Sequence, residues 1–234
     1  MSHIGDLDRL RSYQSAFAAG IGEVPPDAPV VHCGDWTVSD LVEHLAEVHL
    51  WAARRAGAPR QRPAPAPDLR TGYLQAAAAL SDALERLDPD QPCWTLLDDD
   101  APADVPRIGT VRFWRRRQAN ETLVHLWDLR TAGDADLDVP DDEWLDCLDE
   151  VVTVMHPRQV RLGRIGSPGV RVGFAVAGAP VLELGGASEG AGRVVVHGTA
   201  RELALLAWGR QDAASLQVDG DREALARGLV GIVP

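Results

Sequence analysis

The chain has 234 residues, of which 45% are hydrophobic and 25% charged, and its formal net charge is -12. That is ample for a packed core in one large or two modest domains, and too mixed for a disordered chain. The acidic balance excludes a nucleic-acid partner, which needs clustered positive charge, and no apolar run approaches the ~18 residues of a membrane span.

The first two thirds read as helices. Leu7, Leu10, Tyr13 and Phe17 recur at three- and four-residue steps between Ile4 and Ala19, an amphipathic pattern. Pro25, Pro26 and Pro29 mark a loop from Gly20 to Gly34. A second helix is expected from Thr37, with Thr37 and Asp40 as a capping box, to about Ala56, stopped by Gly57-Ala58-Pro59. The Pro/Arg-rich stretch to Pro67 is a linker. A third, alanine-rich helix follows over roughly Leu69 to Leu87, ended by Asp88-Pro89-Asp90. Gln91 to Gly109 reads as irregular, and a fourth helix spans Val111 to Thr131 before Gly133. Four helices with at least one long connection predict a four-helix bundle, a fold whose interior commonly hosts metal sites. A further helix, Asp141 to about Met155, leads out of it.

After His156-Pro157 the texture changes, which places the domain boundary between residues 157 and 158. Val170–Val176, Val181–Leu184, Arg193–His197 and Leu216–Val218 read as strands. A short helix from Thr199 to Trp208 opens with a second capping box, Thr199 with Glu202, and a last helix follows Asp221. The Gly-rich run Gly185–Gly190 is expected to be a hairpin turn. The fold class is therefore α+β: a helical bundle over 1–157 and a small α+β domain over 158–234.

Composition narrows the chemistry. All 23 basic residues are arginine, which excludes Schiff-base catalysis and a P-loop lysine and suggests a GC-rich genome. Cys33, Cys93 and Cys147 are odd in number and widely spaced, so reduced, inert thiols are expected. A reaction that needs a thiol would then draw it from a cofactor. Met1 to Asp6 lacks the basic and apolar regions of a secretory signal, and a cytoplasmic location is expected. Arg115-Arg116-Arg117, the densest basic run, reads as the solvated end of a helix, with contact to an anionic substrate as the sharper option. His32 beside Cys33 reads as incidental.

The most informative pair is Glu121 and His125, whose i, i+4 spacing puts carboxylate and imidazole on one helical face. Trp114, Arg117, Val124 and Asp128 fall on the same side, which a purely solvated face would seldom carry. Taken alone, the pair is equally a surface contact worth a few tenths of a kcal/mol. In the second helix His44 and His49 flank the apolar stripe Leu41, Leu45, Val48 and Ala52, and either can look inward. Two imidazoles and one carboxylate suit zinc and leave a fourth position open, the mark of a catalytic site. Asp128, one turn on, would orient the His125 ring, or else pair with an arginine.

Three stretches carry a resemblance: Asp35-Trp36-Thr37-Val38-Ser39-Asp40-Leu41-Val42-Glu43-His44-Leu45, Glu121-Thr122-Leu123-Val124-His125-Leu126-Trp127-Asp128, and Leu205-Leu206-Ala207-Trp208-Gly209-Arg210. In that order the chain resembles the mycothiol-dependent maleylpyruvate isomerase family of DinB-like metalloenzymes. The resemblance implies a DinB-like bundle with a sterol-carrier-like C-terminal domain, and a zinc-type divalent metal held by His44, Glu121 and His125. It implies mycothiol as thiol cosubstrate, acting on a small electrophile that bears a carboxylate. In isomerisation the thiolate adds to a conjugated double bond, allows rotation and leaves; in S-transfer it stays attached. Arg210 is the candidate for binding the substrate carboxylate, its competing role being to cap a helix end. Asn120 departs from the family pattern, where many relatives carry histidine. The alternatives are a DinB-like hydrolase or lyase without mycothiol, and a non-catalytic binder of lipid or small molecules. The sequence leaves monomer and dimer both open.

Overall fold

Leu10, Phe17, Leu41, Leu45, Leu80, Leu84, Leu123 and Leu126 come from four helices and are all essentially inaccessible to water. The computed structural model describes residues 5–60, 65–99, 107–166, 169–186 and 190–233. It divides into two compact units, 1–137 and 138–234.

The first unit is the four-helix bundle: α1 (Asp6–Gly20), α2 (Val38–Ala56), α3 (Leu69–Arg86) and α4 (Val111–Ala132). Their limits follow local chemistry. The Thr37 hydroxyl accepts from Asp40 N–H while the Asp40 carboxylate accepts from Thr37 N–H, and Gly57 ends α2 in the left-handed region at φ 110°. Asp68 caps α3 through Thr71 N–H. Around the bundle the packing order is α1, α3, α2, α4, so α1 stands diagonal to α2 and α3 diagonal to α4. Residues 61–64 of the Pro/Arg-rich linker lie outside the described residues. Gln91 to Gly109 holds a short 3₁₀ turn, Leu96–Asp98, fixed by a buried Asp98 that accepts from Thr95 and Ile108. Trp51, Trp94 and Trp114 form an aromatic cluster in this unit, with the Arg55 guanidinium 4.3 Å from the Trp94 ring.

The second unit begins twenty residues before the change in texture at 157. Helix α5 (Asp141–Glu150) packs on α7 (Ala200–Ala207), burying Trp144, Cys147 and Leu148, so it belongs with the C-terminal part. Nor does the helix stop at His156-Pro157. Val151–Met155 widens into a π-helical turn, His156 N–H bonds back to Val151, and α6 (His156–Arg161) continues. A wider turn relieves the clash a proline ring would otherwise make with the preceding turn.

Strands β1 (Val170–Val176), β2 (Leu182–Glu183), β3 (Gly192–Gly198) and β4 (Gln217–Asp219) form one sheet in the order β2-β1-β3-β4. β1 and β3 run parallel, with Val172 beside Val194 and Phe174 beside Val196, all four fully buried. Helices α7 and α8 (Arg222–Gly228) pack on these strands. The order corrects the reading of Gly185–Gly190 as a hairpin turn. β2 pairs antiparallel with β1, and the hairpin lies at residues 177–181, where Gly178 takes φ 81°. Residues 187–189 lie outside the described residues. The second capping box, Thr199 with Glu202, opens α7.

Candidate metal centre

Helix α4 is only weakly amphipathic yet is buried along most of its length. Arg117, Gln118, Asn120, Glu121, Thr122, His125 and Asp128 are all buried. Polar groups in such a position are costly unless each is paired. The helix lies between α1 and α2 and divides its polar side chains between them. Asn120 accepts from the Arg9 guanidinium of α1 at 3.2 Å, and Gln118 bonds His49 Nδ1 of α2 at 2.9 Å. The departure at Asn120 therefore faces α1.

Glu121 faces α2. Its Oε1 is 3.5 Å from His125 Nε2 and 3.9 Å from His44 Nε2, and the two imidazole rings meet edge-on with centroids 5.2 Å apart. His44 is about one third exposed (35%) while His125 (7%) and Glu121 (10%) are buried, so the cluster opens to solvent on the His44 side. The other Glu121 oxygen, Oε2, accepts from Arg117 one turn earlier. Burial alone would push the Glu121 carboxyl up. The Arg117 charge and the hydrogen bonds from His125 and His44 override it and hold the group well below the usual carboxylate range.

His125 is fixed from its other side, where Asp128 Oδ2 accepts from Nδ1 at 3.0 Å. Burial would lower the pKa of this ring. The carboxylates of Asp128 and Glu121 reverse the effect and raise it to about 9. Cys33 donates to the same Asp128 oxygen at 3.5 Å.

Those contacts give the proline-rich segment 21–37 a purpose that local sequence hid. Besides Cys33 on Asp128, it sets His32 against Trp127 and Trp36 against His44, tilted ring pairs with centroids 5.2 and 4.7 Å apart. His32-Cys33 is thus cover over α4. The arginine run also turns inward: Arg115 donates to Leu84 O at 2.6 Å, at the end of α3, and Arg117 is buried against Glu121. The i, i+4 spacing of Arg117 and Glu121 was the available signal for that pair. The cysteines form no disulfide, Cys33 being half-buried and Cys93 and Cys147 buried. His49 is buried and bonded to Gln118, so of the two α2 histidines it is His44 that meets Glu121.

The donor set suits a divalent ion. One nitrogen each from His44 and His125 and one Glu121 oxygen lie within 4.8 Å of one another. Ligand bonds of about 2.0–2.2 Å in a tetrahedron put donors about 3.4 Å apart, close to the two separations just given. A second grouping, Cys33, His125 and Asp128, shares His125. There the carboxylate is already engaged with both neighbours, which suits it better to orienting the ring.

Arg210 lies in the C-terminal unit just beyond α7. Gly209 turns the chain at φ 70°, Arg210 N–H returns to Leu205 O, and its guanidinium donates to Trp208 O at 2.9 Å.

A helical bundle carrying an inward His-Glu-His cluster is followed by a small mixed sheet with helices. The chain belongs to the mycothiol maleylpyruvate isomerase family: residues 7–130 match its N-terminal domain profile and residues 138–227 the MDMPI C-terminal domain profile. The fold is similar to a crystal structure of a histidine-to-alanine mutant of the mycothiol-dependent maleylpyruvate isomerase. The TM-score is 0.65 at 16% identity, over 93% of this chain and 94% of the other. A second structure of the mycothiol-dependent maleylpyruvate isomerase gives 0.64 with the same identity and coverage. At that identity the likeness is one of fold. No curated protein sequence gives a significant match. Among the described residues no helix is long and apolar enough to cross a membrane.

Proposed function

We propose that this protein is a mycothiol-dependent enzyme, an isomerase or S-transferase, whose His44, Glu121 and His125 hold a divalent metal ion. Zinc is the first choice for two imidazoles and one carboxylate. The observation that carries the reading is the burial of Glu121 between Arg117 and two histidines, one of them backed by Asp128. A buried, ionised carboxylate sharing an oxygen between two imidazoles is an expensive arrangement for packing alone. When bound, the ion would supply the positive charge that lowers the pKa of a thiol brought to its open side.

The chain's own residues prepare that place. Arg117 occupies Oε2 and leaves Oε1 to the cluster. Asp128 holds Nδ1 of His125, which keeps Nε2 turned toward Glu121. His44, the most exposed of the three, stands on the side from which small molecules enter. Cys93 and Cys147 are buried, and burial pushes the Cys93 thiol up to about 11, so neither supplies a ready nucleophile. Cys33 is engaged with Asp128, and the proposed nucleophile is an external thiol. Arg210 is the proposed partner of a substrate carboxylate, through a bidentate guanidinium contact. The substrate is then a small electrophile bearing a carboxylate.

Metal analysis of the purified protein, with calorimetric titration of mycothiol into the metal-loaded form, tests the proposal. Stoichiometric metal lost in both His44→Ala and His125→Ala, and mycothiol binding that needs the metal, are the expected results. Metal retained in both variants would overturn the ligand assignment. Metal present without mycothiol binding would turn the reading to a hydrolase or lyase.

A further inference from the structure

The C-terminal unit contains a buried histidine that nothing in the proposed chemistry uses. His156 begins α6 directly after the π-helical turn and is only 1% exposed. Neither of its ring nitrogens finds a hydrogen-bond partner among the described residues. A buried polar group left unpaired costs on the order of 1–3 kcal/mol, and here two atoms of one ring are in that state.

His156 also borders a half-open cavity of about 510 Å³, formed with Ile165, Val170, Ala224, Arg227 and Val230. That volume lies in the range of small-molecule sites, and its walls are mainly apolar with few polar groups, as such sites usually are. Arg227, the one cation among these residues, stands near Asp221 at 3.8 Å and Glu223 at 3.6 Å. Its charge is balanced from within the chain, so the cavity has no net pull on an anion.

We infer that this cavity is a binding site for a small, uncharged, mainly apolar molecule carrying one hydroxyl, an alcohol or a phenol, whose hydroxyl pairs with His156 as a turn of the ring brings a now buried nitrogen to the cavity. A hydroxyl both donates and accepts, which is what a neutral imidazole with one N–H and one lone pair requires. Burial lowers the pKa of His156 and keeps it in that neutral form. The apolar body of the ligand would lie against Ile165, Val170 and Val230.

The site is tested with p-cresol as probe and toluene as its hydroxyl-free control. The full chain, labelled with ¹⁵N, is titrated while the imidazole nitrogens of His156 are followed by NMR. The expected result is a saturable shift of those nitrogens with p-cresol, and binding about tenfold tighter than that of toluene. His156→Phe should abolish the preference for p-cresol. Should that variant fail to fold, Ala224→Leu, which narrows the cavity and leaves His156 in place, should weaken p-cresol at least severalfold. Imidazole signals unmoved by millimolar p-cresol, or toluene binding as tightly as p-cresol, would overturn the inference. So would p-cresol affinity unchanged in Ala224→Leu.

Discussion

Arg117 holds one oxygen of Glu121 and leaves the other to two histidines. Both partners are buried, so each is the other's chief compensation for leaving water. The relationship gives one carboxylate oxygen a structural task and leaves the other for the proposed ligand task. It also keeps Glu121 ionised where burial would otherwise neutralise it.

Replacing Arg117 should therefore harm more than packing. Arg117→Met leaves an unpaired carboxylate in the bundle, and breaking a buried pair from one side costs about 3 kcal/mol or more. The carboxyl pKa should rise, so the affinity for metal at neutral pH should fall as well. Arg117→Lys should recover part of both losses. Chemical denaturation of the metal-free variants, alongside zinc titrations, measures the two effects. Full stability and full affinity in Arg117→Met would remove the pair from the account.

Asp128 acts on the site through His125. Asp128→Asn keeps the shape but replaces a charged acceptor at Nδ1 with an amide that is free to turn. Partners of this kind typically contribute 10- to 100-fold in metal affinity, and a loss of that size is expected here with the fold intact. Competition with a chromophoric chelator gives the number, and circular dichroism checks the fold. Cys33→Ser changes the other neighbour of Asp128 and should shift affinity far less.

How much of this was legible beforehand depends on the range of the interaction. The limits of α2 follow from Thr37, Asp40 and Gly57, which act within a turn of their own position, and they read directly from sequence. Glu121 and His125 were legible as a pair because helical spacing alone puts them on one face. The inward turn of Arg115 and Arg117 was not, since it depends on α3 and on the burial of α4. The loop that lays Cys33, His32 and Trp36 over Asp128, Trp127 and His44 was equally hidden. Its contacts span some ninety residues, or depend on a turn no local motif announces. The parallel pairing of β1 with β3 belongs to the same class, because short strands carry no mark of their neighbours. Pro157 misled for a different reason: proline usually ends a helix, but a π-helical turn before it removes the clash.

Metal binding should be strongly pH-dependent, with a sign fixed by His125. In the metal-free protein its pKa is raised to about 9, so at neutral pH the ring carries a proton that the ion must displace. Affinity should climb about tenfold per unit as pH rises from about 7 toward 9, then level off. The stability of the metal-free protein should run the other way. The contribution of protonated His125 is fully present below the unfolded value near 6.5 and is lost as pH rises through about 9. Zinc affinity that is flat across this interval would contradict the geometry around His125.

His49 sets the acid limit of the bundle. It is completely buried, and burial lowers its pKa from 6.5 to about 4, with the hydrogen bond to Gln118 opposing the shift only in part. The unfolded chain takes up a proton here near pH 6.5, while the folded one resists until about pH 4. Stability should therefore decline as pH falls through that interval, by on the order of 3 kcal/mol in total from this one residue. His49→Leu removes the titrating group at similar volume and should flatten this part of the profile, although it leaves Gln118 Oε1 without its partner and lowers stability at pH 7. Urea denaturation of both proteins at several pH values between 4 and 7 reads the difference in slope. An identical slope in the variant would mean that acid sensitivity of the bundle arises elsewhere.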